Sequence, residues 1–257
     1  MQPMPTTFMS LLLAHLLGDF PLQAEWITKN KGKRYWPLMV HGITHYILVW
    51  TCLLIFAQVS YLSIYSQTVI IGYLSVHLAI DKLKHLLIAR NPRRDNGKTF
   101  LLDQGLHVIS LAIAAAILTR SHISDIIQSV QLAPPTKMRI LEAAIIYVAV
   151  IFGGGYLIRL LTQGLSKGLA AETSVQLDNA GLYVGWIERF LVITAIVMQS
   201  PALVGLILTG KSIARFPEFK EARFAEYFLI GTLLSISISI LGGIVLLRIF
   251  YGAVSLK

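Results

Sequence analysis

Cysteine is nearly missing: the 257-residue chain holds one, Cys52. A single thiol excludes an internal disulfide framework and any CxxC redox or zinc-ribbon motif. Charge is also scarce, at 14% Asp, Glu, Lys and Arg, and the acids are the scarcer sign, 13 against 22 bases. A chain this poor in charge, 55% hydrophobic and with a mean hydropathy of +0.68, falls outside the balance of soluble domains. The start, MQPMPTTFMS, lacks a basic n-region, and no small-residue cleavage site follows it, so the first apolar stretch reads as a retained helix and not a signal peptide. No repeat period, heptad run or low-complexity tract is visible. No G-x-x-x-x-G precedes the GKS at 210–212, which excludes a P-loop there.

What fills the chain instead is long apolar runs, such as PLMVHGITHYILVWTCLLIFA (37–57) and YFLIGTLLSISISILGGIVLL (227–247). Runs of about 20 residues suffice to cross the hydrocarbon of a bilayer. Eight helices are predicted, near 5–22, 37–58, 64–89, 99–119, 138–161, 181–199, 201–214 and 224–250, the seventh short enough to be re-entrant. The expected fold is an all-α polytopic transmembrane helical bundle of seven or eight helices. Sixteen of the 22 basic residues fall in alternate connections, among them Lys29, Lys31, Lys33, Arg34, Lys82, Lys84, Arg93, Arg94, Lys167, Lys211 and Arg215. The positive-inside rule makes that side cytoplasmic and puts both termini on the other. The net charge of +9 is thereby explained as topology, and no nucleic-acid partner is expected. The longest polar connection, 121–137 with Pro134-Pro135, is read as an external loop between a four-helix half (1–120) and a second transmembrane half (138–257). Within the latter, Gly153-Gly154-Gly155 allows close packing or a kink.

Each helix of the first half carries two potential metal ligands four residues apart: His15/Asp19 (HLLGD), His41/His45 (HGITH), His77/Asp81 (HLAID) and Asp103/His107 (DQGLH). That spacing stacks two side chains on one helix face, where they chelate one ion or line a two-ion site. A single membrane histidine is as often a helix-to-helix hydrogen bonder, but four pairs in four successive helices are a pattern. Helix direction then sorts them by depth. Asp19, His41, Asp81 and Asp103 lie nearer the cytoplasm; His15, His45, His77 and His107 lie one turn deeper, about 6 Å at 1.5 Å per residue. A ring of four imidazoles beneath three carboxylates and an imidazole is expected. Ionisable groups in membrane spans are costly and tend to be functional. Eight ligands exceed one tetrahedral ion, so one or two ions are expected, with Asp19 or Asp81 as bridges. Nitrogen and oxygen ligation without sulfur suits a divalent metal, zinc first, with iron or manganese as alternatives.

Gln23, Thr44, Gln104 and Lys84 lie close to these pairs in sequence. In the second half, Glu188, Arg189, Lys211, Arg215 and Glu226 gather toward the same side, where Glu188, Arg189, Lys211 and Arg215 would join Lys84 and Gln104 in binding an anionic substrate. Snorkelling and local ion pairing are the plainer account of the second-half group. His85, in a basic flank, and His122, in the external loop, are not assigned to the site.

HLLGDFPLQ, HGITH, HLAIDKLKH and LLDQGLH, followed by GWIERF, GKSIARF and AEYFLIGTLLS, resemble an uncharacterised bacterial membrane family, number 3307 among the domains of unknown function. The resemblance implies a multi-pass protein of the bacterial inner membrane and supplies no activity. The residues themselves suggest a metal-dependent hydrolase acting on an anionic or lipid-linked substrate, with Asp103 and Asp81 as catalytic carboxylates. A divalent-cation transporter, a membrane di-iron oxidoreductase and a non-catalytic structural protein are the alternatives. Only the lipid bilayer is a partner common to all four.

Overall fold

The computed structural model describes residues 4–31, 34–57, 63–122, 136–165 and 180–252. It is all-helical among these residues. The first half comprises α1 (Met4–Asp19), the short α2 (Glu25–Asn30), α3 (Tyr35–Cys52, continued by a π-helical turn Leu53–Ala57), α4 (Ile64–Arg90) and α5 (Gly97–Thr119). The second comprises α6 (Thr136–Val148, a π-helical turn Ala149–Gly153, then Gly154–Thr162), α7 (Ala180–Val197), α8 (Ala202–Ala214) and α9 (Ala222–Tyr251). Every predicted helix thus has a counterpart, and α2 is a helix where a plain loop was expected. Most of the predicted external loop, including Pro134-Pro135, lies outside the described residues, as do Lys33, Lys167 and Lys257.

Local chemistry accounts for the helix ends that position the ligand pairs. The Ser63 hydroxyl accepts from the Ser66 amide at 3.2 Å to cap α4. Asn96 does the same for α5, its side-chain oxygen accepting from Thr99 N at 3.1 Å, and Asn91 caps the 3₁₀ turn Pro92–Arg94 between them. Pro37 sits in the first turn of α3, where a missing N–H costs nothing. At the far end of α5, Arg120 turns left-handed (φ 54°) and closes the helix.

The chain divides into two compact units, Met1–Val148 and Ala149–Lys257. In the first, α1 packs against α3, α5 and the opening of α6, and α4 packs against α3 and α5. α1 is accordingly buried on nearly every side, from Met4 and Phe8 through Leu11, Ala14 and His15 to Gly18. In the second unit, α9 packs against α7 and Gly154–Thr162.

The polarity of the faces is inverted relative to a water-soluble bundle. On α5 the buried face holds Asp103, His107, Leu111 and Ala115, while Leu102, Leu106, Ile109, Ile113 and Ile117 face outward. On α3, His41 and His45 are buried and Met39, Ile43 and Ile47 exposed. Helices whose ionisable residues point in and whose leucines and isoleucines point out have lipid, not water, as their outer solvent. Among the described residues, five helical spans are long and apolar enough to cross a membrane: Tyr35–Ala57, Gly97–Thr119, Thr136–Thr162, Ala180–Val197 and Ala222–Tyr251. The chain is a multi-pass membrane protein by this measure. α1 and α8, at 16 and 13 residues, are shorter than a full span, and α4 carries Gln67, His77 and Asp81 within its apolar stretch.

Candidate metal centre

The eight ligands expected from the four pairs come together at one place in the first unit. The rings of His15, His107, His77 and His45 close into a circuit, with centroids 4.8 Å (His15–His107), 4.5 Å (His107–His77), 4.2 Å (His77–His45) and 6.0 Å (His45–His15) apart. All four are fully buried, and His41, 1% exposed, lies 4.4 Å from His45. α1, α3, α4 and α5 contribute one imidazole each because the i, i+4 spacing holds each pair on the face turned inward.

Asp19 is the hub. Its Oδ1 lies 3.1 Å from His45 Nε2, 3.3 Å from His41 Nε2 and 3.6 Å from His77 Nε2, and Oδ2 lies 3.7 Å from His15 Nε2. His41 joins Asp19 to Asp81, its Nε2 standing 3.2 Å from Asp81 Oδ2. The approach of His45 depends on Gly18. A Cβ at that position would stand 2.5 Å from His45 Nε2, so the glycine inside HLLGD is where the α3 imidazole lies against the α1 backbone. His107 is oriented by its own helix: Nδ1 donates to the Asp103 carbonyl at 2.8 Å, which leaves Nε2 as the free ring nitrogen. Gln104 Oε1 lies 3.3 Å from His15 Nε2, and the Gln23 amide 3.3 Å from His41 Nδ1.

Two lysines border the carboxylates. Lys31, 7% exposed, donates to Asp81 Oδ2 at 2.7 Å, and Lys84 donates to Asp103 Oδ2 at 2.7 Å. Lys31 is the site residue that sequence reasoning missed, since it reads there as one more cytoplasmic charge. Tyr73 is another. One turn from His77 along α4, it is 5% exposed with a hydroxyl that has no hydrogen-bond partner. On the side of the imidazoles away from the lysines, Leu11, Val49, Tyr73 and Leu111 each lie one turn beyond a ring histidine on its own helix, all at most 5% exposed. This layer, apolar apart from the Tyr73 hydroxyl, is the floor of the cluster.

The donor chemistry fits a cation. His41 Nε2 and His77 Nε2 face each other at 3.3 Å, and three ring nitrogens crowd one Asp19 oxygen. A cation would take these donors together, whereas without one each contact needs an N–H on one of its ring nitrogens. Among the described residues, three sets have donor atoms all within 4.8 Å of one another: His15, Asp19, His45 and His77; Asp19, His41, His77 and Asp81; and Asp81, Asp103 and His107. Of these, the first is the best-formed for one divalent ion, being three imidazoles and a carboxylate with no lysine against any of them. In the third set both carboxylates already hold an ammonium, while Asp103 Oδ1 and His107 Nε2 are buried without a hydrogen-bond partner.

The second-half residues expected to bind substrate are engaged inside their own unit. Arg189 donates through Nε and Nη2 to the Ile151 carbonyl at 2.9 and 2.7 Å. That carbonyl lies in the π-helical turn, where the regular ladder is broken. Gly155 and Gly185 make room for the guanidinium, since a Cβ at either would meet it. Lys211 pairs with Glu188 and donates to Thr232 Oγ1 at 2.9 Å, and Arg215 donates to Glu218 at 2.8 Å.

No curated protein and no solved structure matches the chain. A family model described as "Protein of unknown function (DUF3307)" matches residues 7–134, which takes in every ligand of the centre and both lysines and leaves GWIERF, GKSIARF and AEYFLIGTLLS outside the match. Over residues 7–134, the stretch that builds the His/Asp cluster, the chain belongs to the DUF3307 family.

Proposed function

We propose that the chain is a metal-dependent hydrolase of the bacterial inner membrane, with its centre on the cytoplasmic side and an anionic or lipid-linked substrate. The observation that carries this reading is the buried convergence of His15, Asp19, His45 and His77, with Asp81 and Asp103 nearby and each paired to a lysine. Such a donor set suits a divalent cation, zinc first, iron or manganese otherwise. Bound there, the cation would supply a water of lowered pKa and a Lewis acid. The remaining work falls to the chain. Asp103 Oδ1, which accepts no hydrogen bond, takes the proton of the attacking water, while Lys84 holds the other carboxylate oxygen in place. Asp81, fixed between Lys31 and His41, orients the rim, and the two ammoniums attract and align an anion. The floor of Leu11, Val49, Tyr73 and Leu111 favours hydrolysis over ion passage, which would need a polar route onward.

Purified protein assayed on phosphoester and amphipathic ester substrates tests the reading. Hydrolysis abolished by a chelator and lowered by roughly 10²–10⁴-fold in Asp103→Asn is the expected result. Equal turnover by a His45→Ala, Asp81→Ala double variant, or metal content no higher in the wild type than in that variant, refutes it.

A further inference from the structure

We propose that Arg189 anchors a second binding site, at mid-depth in the membrane, for a carboxylate monoanion. The site is independent of the metal centre, and every residue of it lies in the second unit. Its starting point is depth. Arg189 stands at the middle of α7, about 12–13 Å from either end at 1.5 Å per residue, and its acceptor Ile151 lies close to the middle of the span Thr136–Thr162. A charged group so far inside a span is costly and marks function. Interrupted helices at that depth are the frame in which membrane transporters hold their solutes, and the π-helical turn Ala149–Gly153 supplies such an interruption.

The guanidinium is 5% exposed and only partly satisfied. Nε and Nη2 converge on the Ile151 carbonyl, and Nη1 makes no hydrogen bond among the described residues. One N–H on Nη2 and one on Nη1 are left side by side, the fork that meets both oxygens of a carboxylate. Counter-charge is missing as well. Glu188, next in sequence, pairs with Lys211, and Arg189 makes no ion pair among the described residues. Two cations and one carboxylate leave a single positive charge over, which a monoanion neutralises and a dianion does not. Gly155 and Gly185 admit the guanidinium between α6 and α7: a Cβ at the first would collide with Nη2, and one at the second would stand 3.1 Å from Nη1. Both glycines are partly exposed, so the cleft they line reaches the surface of the unit. The rings of Phe152 and Trp186, 4.8 Å apart, bridge the two helices one residue from Ile151 and from Gly185, an apolar wall for a carbon skeleton. A small water-borne monocarboxylate and a membrane fatty acid offer the same headgroup.

Binding of radiolabelled acetate to the full-length chain in phosphatidylcholine nanodiscs, read by scintillation proximity at constant ionic strength, tests the site. Wild type is expected to bind about one acetate per chain, saturably, as a single fork allows. Chloride and inorganic phosphate at equal concentration leave that binding in place. Displacement by oleate added to the bilayer extends the site to fatty acids, and its failure restricts the site to water-borne carboxylates. Arg189→Gln abolishes binding. Arg189→Lys keeps the charge without the fork and weakens binding by roughly 10–150-fold, the worth of one charge-assisted hydrogen bond. Gly185→Ala, which crowds Nη1 while Arg189 stays, weakens it too; size-exclusion elution confirms that each variant is folded. A wild type without saturable acetate binding overturns the proposal whatever the variants do, and leaves Arg189 as a staple on the π-helical turn. Equal displacement by chloride overturns the carboxylate assignment, and acetate binding unchanged in Arg189→Gln removes Arg189 from it.

Discussion

His45 reaches Asp19 because residue 18 has no side chain. The imidazole lies where a Cβ would project, 2.5 Å from its Nε2, and the ring is walled by His15, His41 and His77. A methyl group there has no flexible neighbour to push aside. Gly18→Ala is therefore expected to displace the His45 ring from Asp19, to lower metal retention to the level of His45→Ala, and to cost about 1–3 kcal/mol of stability through overpacking. Elemental analysis and thermal unfolding in detergent measure the two effects. An alanine variant that kept its metal would show that His45 is no ligand. Lys31 makes the complementary point. It meets Asp81 from fifty residues away, across the turn of α2, and no local pattern announces such a contact.

At the scale of the element, periodicity made the ligand pairs legible and tertiary packing made the rest illegible. HLLGD, HGITH, HLAID and DQGLH each declare a face by the 3.6-residue repeat, and the depth order follows from helix direction alone. The pairing of Arg189 with Ile151 depends on a π-helical turn at 149–153, and a triplet of glycines hints at that turn without specifying it. Likewise Lys211 and Arg215 find Glu188 and Glu218, contacts that a count of basic residues cannot distinguish from a substrate-binding wall. The inverted faces give an element-scale prediction. Ile109, on the outward side of α5 near its middle, is 58% exposed. Against water, Ile109→Arg would be close to neutral. Against lipid it is expected to cost roughly 2.5–3.5 kcal/mol of insertion free energy, so a membrane-integration assay of α5 should show a clear fall in the inserted fraction.

Across the whole molecule, the basic residues alone assign the lysine side of the cluster to the cytoplasm, and that assignment can be checked directly. With Cys52 replaced by alanine, single cysteines report orientation. Arg93→Cys, in the connection between α4 and α5, is expected to react with an impermeant thiol reagent only when the cytoplasmic face is open. Arg120→Cys, at the other end of α5, is expected to react from outside. The reverse pattern would place the lysine side of the centre on the far side and remove the cytoplasmic assignment.

The floor beneath the imidazoles also governs what the membrane voltage can do. A transmembrane potential falls mainly across material of low dielectric constant, and Leu11, Val49, Tyr73 and Leu111 are the first such layer below the cluster. Asp19, Asp81, Asp103, Lys31 and Lys84 all stand on one side of it. An ion arriving from the lysine side therefore crosses little of the field, and its affinity should be nearly the same in an energised cell and a depolarised one.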